Sequence, residues 1–170
     1  YLAYSYDDIS KSDDRWLYIP ALKKAKRVSG SSSQDDFMGT DFTYDDMSGR
    51  KVDDYKHTLL GEEKINSKDC WKIESVPVKK SMYSKYVSWI DKESLLSLKA
   101  EFYDEQGSIL KVLTVSGIEK KEGFWTASKM EMNNLQKKHK TLIEVLKHEF
   151  NKEIPDSYFR VNSLEEGKIR

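Results

Sequence analysis

The run Leu96-Ser97-Leu98-Lys99-Ala100-Glu101-Phe102 alternates apolar and polar residues without a break. Successive side chains of a β-strand point to opposite faces, so this run has one dry face and one wet face. The turn Asp104-Glu105-Gln106-Gly107 follows, and Ile109 to Val115 reads as the return strand of an antiparallel hairpin. Leu96, Leu98, Ala100 and Phe102 are expected to face a core, because a one-residue slip would expose all four.

The pattern extends outward from this hairpin. Tyr55 to Ile65 and Cys70 to Pro77 flank the turn Asn66-Ser67-Lys68-Asp69. Tyr83 to Ile90 leads through Asp91-Lys92-Glu93-Ser94 into the strand at Leu96. Lys121-Glu122-Gly123 turns the end of one strand into Phe124 to Met132, and Lys137 to Lys140 turns that one into Thr141 to Phe150. Consecutive hairpins make an antiparallel meander, and no βαβ alternation calls for a parallel sheet. Helical signals are few: Asp41 to Met47 suits one short helix, and Pro155 opens a second one through Phe159. The expected fold class is therefore mainly β, with one or two short helices. A length of 170 residues fits a single domain over 1–170, and no linker or repeat divides it. Trp16 and Tyr18 share one face of an early strand, and Leu17 and Ile19 share the other. Both faces are apolar, so that strand is expected to be covered on both sides.

Charge and chemistry narrow the function. Lys and Arg number 29 and Asp and Glu number 29. A zero net charge points away from nucleic acid, which draws a basic excess. No run approaches the roughly 18 apolar residues of a membrane helix. The chain opens without Met on the strand-like Tyr1-Leu2-Ala3-Tyr4-Ser5-Tyr6, and so reads as beginning inside a longer protein. Cys70 is the one cysteine and is read as a small packed residue. His57, His139 and His148 show no HxxxH or HxH spacing, and there is no Gly-rich phosphate loop or GxSxG. His148 alternates with Leu146 and Phe150, which suits an inward residue with a hydrogen-bond partner. The acids of Asp41-Phe42-Thr43-Tyr44-Asp45-Asp46 lack the spacing of a calcium loop and are read as solvated or helix-capping. These readings point to a non-enzymatic protein without metal or cofactor.

Two segments carry a family pattern. The first is Trp16-Leu17-Tyr18-Ile19-Pro20-Ala21 with the basic stretch to Arg27. The second is Phe37-Met38-Gly39-Thr40-Asp41-Phe42. Together with Cys70-Trp71-Lys72-Ile73-Glu74-Ser75-Val76-Pro77, Tyr86-Val87-Ser88-Trp89-Ile90-Asp91 and Ile154-Pro155-Asp156-Ser157-Tyr158-Phe159, they resemble the LolA-like family of outer-membrane lipoprotein-sorting proteins. The resemblance runs over nearly the whole chain. It implies a strongly curved antiparallel sheet, an incomplete β-barrel, with an apolar concavity that accepts a lipid or lipoprotein acyl chain. It also implies a periplasmic location and a membrane transporter of the resistance-nodulation-division class as partner. Family members carry a further N-terminal segment before the strand matching Tyr1 to Tyr6, so the resemblance implies that this domain lacks it. A sensor or transporter-accessory module that binds a protein partner would share the fold.

A carrier needs apolar wall rather than catalytic groups. The large apolar side chains of adjacent strands are Trp16, Tyr18, Trp71, Ile73, Tyr86, Trp89, Leu98, Phe102, Leu113 and Trp125. They are the candidate ligand-binding residues, with both parities represented because alternation within a strand does not say which parity faces a neighbour's wall.

Overall fold

The computed structural model describes residues 1–8 and 10–167. Two antiparallel sheets organise them. Strands β1 (Leu2–Tyr4), β2 (Asp14–Ile19) and β3 (Lys24–Val28) form a three-stranded sheet in that order. The second sheet is a seven-stranded meander of β4 (Tyr55–Ile65), β5 (Lys68–Pro77), β6 (Lys85–Asp91), β7 (Ser97–Tyr103), β8 (Ile109–Lys121), β9 (Phe124–Asn134) and β10 (His139–Glu144). Each strand pairs with the next, as the hairpin signals require. The order ends at β4 and β10, so the sheet is open and not a barrel. The helices are short, α1 (Tyr44–Met47) and α2 (Val161–Glu165).

The chain divides into two compact units. One holds residues 1–35, 43–49 and the stretch from Glu149 onward, with the small sheet and both helices. The other holds Asp36–Phe42 and Arg50–His148, with the large sheet.

Local chemistry sets the elements. Asn66 and Ser67 both take left-handed φ, 48° and 67°. That is the mirror-image turn whose twist suits a two-residue hairpin, so β5 starts at Lys68, earlier than the four-residue turn expected from the sequence. Thr43 caps α1: the Asp46 N–H donates to its hydroxyl, and the Thr43 N–H donates to the Asp46 carboxylate. Strand β8 passes through Gly117 at φ +65°, where a Cβ would lie 2.0 Å from the Ser128 hydroxyl of β9. Strand β10 stops at Glu144, short of the expected Phe150, and Leu146 beyond it is exposed. His148 nevertheless finds its partner, Thr126 Oγ1 at 2.9 Å.

In the smaller unit, Trp16, Leu17, Tyr18 and Ile19 are all half-buried. Trp16 meets Tyr4 edge-on, and the Ala25 N–H donates to Glu165 of α2 at 2.8 Å. Arg15 is buried between Asp13 and Asp45.

Three register shifts interrupt the large sheet, and each leaves one leucine out of the ladder: Leu60, Leu98 and Leu110. The two faces of the sheet carry separate apolar clusters. On one, here the Phe102 face, Phe42, Tyr83, Tyr86, Ala100, Phe102 and Met132 pack together. On the other, the Trp89 face, the cluster is Cys70, Val87, Trp89 and Leu98. Ala100 and Phe102 face the core as alternation predicts, and Leu96 is half-buried. Leu98 departs from its parity. The bulge lets it pack with Trp89 on the opposite face, because an extra residue breaks strict alternation. Cys70 is fully buried, and that burial pushes its thiol up, as suits a packed residue.

Candidate ligand-binding face

Directly paired residues of neighbouring strands point to the same side. The register therefore lays out the Phe102 face as cross-strand rows. The first row is His57, Ser75, Tyr86, Phe102, Lys111, Asn134 and His139. The second is Leu59, Ile73, Ser88, Ala100, Leu113, Met132 and Thr141. A third includes Trp71 with Ile90, and Val115 with Met130 and Ile143. The first row is polar around an aromatic centre. The second and third are largely apolar.

Part of this face is already occupied by the chain itself. The segment Asp36–Phe42 inserts Phe42 among Tyr83, Tyr86 and Phe102, with Phe37 beside it. It is fastened at Asp41. Lys111 Nζ donates to the Asp41 carbonyl at 2.6 Å, and Thr141 Oγ1 donates to the carboxylate at 2.8 Å. His139 Nδ1 lies 2.8 Å from the same carboxylate oxygen. Lys137 pairs with Asp36 at 2.6 Å. Asp41 and Lys111 are 2% and 1% exposed. The acids of residues 41–46 thus part company: Asp46 caps a helix as expected, while Asp41 is a buried fastening and not a solvated residue.

The ten candidate residues scatter accordingly. Trp71, Ile73 and Leu113 lie half-buried on the apolar rows. Tyr86 and Phe102 share the face but are covered by the Phe42 segment. Trp89 and Trp125 are on the opposite face, since they pair with Lys99 and Lys120. Leu98 sits in the Trp89 cluster. Trp16 and Tyr18 belong to the three-stranded sheet. The structure adds Leu59, Ile90, Val115 and Met130 to the apolar rows. Their signal was pairing with a neighbour, which alternation within one strand does not carry.

The Trp89 face is built differently. Lys99 and Lys72 stand 4.4 and 4.9 Å from the Trp89 ring centre, and Lys85 stands 5.0 Å from that of Tyr103. Each lysine also meets a carboxylate: Lys99 with Glu101, Lys72 with Glu63 and Lys85 with Glu74. Burial pushes the Glu101 carboxyl up, but hydrogen bonds from Lys99 and Tyr103 outweigh it and leave it below the usual range. The Tyr103 phenol is pushed up to about 12 by burial and by its bond to Glu101. Among the described residues no three His, Cys, Asp or Glu side chains gather as a metal site, and no helix is long and apolar enough to cross a membrane.

Known proteins share this architecture. A domain from Vibrio parahaemolyticus named for outer membrane lipoprotein sorting is 36% identical, with a TM-score of 0.86, over 91% of this chain and 67% of its own. A family model described as that of an uncharacterized protein matches residues 1–166. The chain belongs to the LolA-like family of outer-membrane lipoprotein-sorting proteins.

A DUF1329 family protein from Desulfovibrio piger resembles this LolA-like chain at 32% identity and TM-score 0.88, over 95% of the chain and 69% of the relative. A LolA superfamily protein from Nitrosomonas europaea shares the fold at TM-score 0.60 and 22% identity, over 86% and 66%. The chain thus spans about two thirds of the length of these relatives. No curated protein matches it. Within this LolA-like chain, the Phe37–Phe42 segment is the stretch that fastens onto the Phe102 face, and the Cys70–Pro77 and Tyr86–Asp91 segments lie in β5 and β6.

Proposed function

We propose that this domain is a periplasmic carrier that shelters a lipid or lipoprotein acyl chain on its way towards the outer membrane. The observation that carries the reading is the pair of apolar rows on the Phe102 face. Leu59, Trp71, Ile73, Ile90, Leu113 and Val115 meet there by register, and Leu59 is 62% exposed. Such a wall needs no catalytic residue, metal or cofactor. Burying a methylene is worth roughly 0.8 kcal/mol, so a dozen supply about 10 kcal/mol before ordering costs. The family relationship supports the same reading, as does the name of the Vibrio relative. A membrane transporter of the resistance-nodulation-division class is the partner we propose for delivery.

The test is titration of the delipidated protein with a fluorescent fatty acid or lipopeptide, beside a melting curve. Micromolar saturable uptake is expected. Ile73→Asp should abolish it in protein that remains folded, because a carboxylate there would be desolvated without a partner. No uptake by the folded wild type would end the carrier reading.

A further inference from the structure

The Phe102 face has a cationic end. The Arg50 guanidinium lies 4.9 Å from the ring centres of both Tyr86 and Phe102, the aromatic centre of the first row. Arg50 itself is exposed, while the rings beneath it are buried. A guanidinium that stacks on rings uses its flat face for the contact. Its N–H donors lie in its own plane and point sideways, in the fork that matches a carboxylate or phosphate with two bonds. Stacking and anion recognition therefore coexist on one side chain, which a lysine ammonium does not offer.

The surroundings fit a head group rather than more tail. His57 and Ser75 stand in the same row, joined at 2.8 Å, and Ser75 pairs with Tyr86 across the strands. From Ser75, β5 runs along the same face through Ile73 to Trp71, four residues or about 13 Å further. Polar and cationic groups thus stand at one end of a strip whose remaining length is apolar. Charge and polarity along the strip match a molecule with one acidic end and a long aliphatic one.

We infer that Arg50 recognises the anionic head of the carried molecule, so that the domain selects acidic amphiphiles, with a carboxylate or phosphate head, over neutral ones of equal chain length. This rests on the carrier reading and names its ligand class.

The experiment compares dodecanoate, dodecyl phosphate and dodecanol, competed against a fluorescent acyl probe on the delipidated protein. A charge-assisted fork gives the two acids a preference of roughly tenfold or more over the alcohol. Arg50→Gln should bring that ratio close to one while dodecanol binding holds, and Arg50→Lys should keep part of it. Added inorganic phosphate should leave the probe in place. Equal affinity of the wild type for acid and alcohol would overturn the inference and leave the carrier reading standing. A ratio unchanged in Arg50→Gln would do the same. Equal loss of all three ligands in Arg50→Gln, with a lowered melting temperature, would make Arg50 a cap over Tyr86 and Phe102 and also overturn it. Displacement of the probe by inorganic phosphate would assign a free-anion site instead. If no dodecyl compound binds the folded wild type, the carrier reading fails and this inference falls with it.

Discussion

The two faces of the seven-stranded sheet bury large aromatics by opposite means. On one face Tyr86 and Phe102 are covered by another stretch of the chain, Phe37–Phe42, which is held down at Asp41. On the other, Trp89 is 3% exposed while Lys72 and Lys99 lie over its ring. Long lysines lay their methylenes on apolar surface and keep the ammonium near water, so a buried tryptophan need not mark a cavity or a packed layer. The lesson is that low exposure of an aromatic says little about ligand binding until what covers it is known. Half-burial on a shared apolar row, as for Ile73 and Leu113, is the more useful sign.

Substitutions sharpen or break this contrast. Phe102→Ala leaves a hole walled by Phe42, Tyr83 and Tyr86, and should cost about 4 kcal/mol in urea unfolding. Trp89→Ala should cost about half as much, because Lys72 and Lys99 can fold into the space; equal costs for the two would break the comparison. Asp41→Ala removes the acceptor of Thr141 and His139, with an expected loss of about 2 kcal/mol. A loss within error of zero would mean that the segment is held by Phe42 alone. Lys99→Gln removes a half-exposed ion pair and a ring contact, and should cost no more than about 1 kcal/mol, less in high salt. The smallest effect belongs to Tyr103. Its folded value lies above the ordinary one of 10, so its stabilising contribution is whole below pH 10 and disappears as pH rises towards about 12. Ultraviolet titration should show a late-ionising phenol in the wild type that Tyr103→Phe removes.

Much of the fold was legible in the residues. Strand β4 runs from Tyr55 to Ile65 as its alternation and flanking turn suggest, and the meander follows from turn chemistry at each hairpin. The candidate face was legible only in part, for one physical reason. Alternation fixes parity within a strand, but which parities meet depends on register, and register moves by one at each bulge. Those bulges fall at Leu60, Leu98 and Leu110, a residue with no turn preference to announce them. Leu98 was assigned to the wrong cluster on that account. Trp71 and Trp89, drawn from adjacent strands as equal candidates, turn out to point to opposite faces. Arg50 escaped notice because nothing near it in sequence shows that it stacks on rings 36 and 52 positions away.

An open sheet also has a consequence for life at high concentration. As its outermost strands, β4 and β10 each present a line of backbone donors and acceptors with no further strand of that sheet to take them up. Such a line is a template on which a stray strand can grow. β4 carries Lys56, Glu62, Glu63 and Lys64 and is kinked at Leu60, and β10 carries His139, Lys140 and Glu144. Charges and a kink are what make an added strand fit badly. The same features that look like ordinary surface decoration therefore keep neighbouring copies from zipping together, and neutralising those of β4 should turn a dispersed protein into one that aggregates.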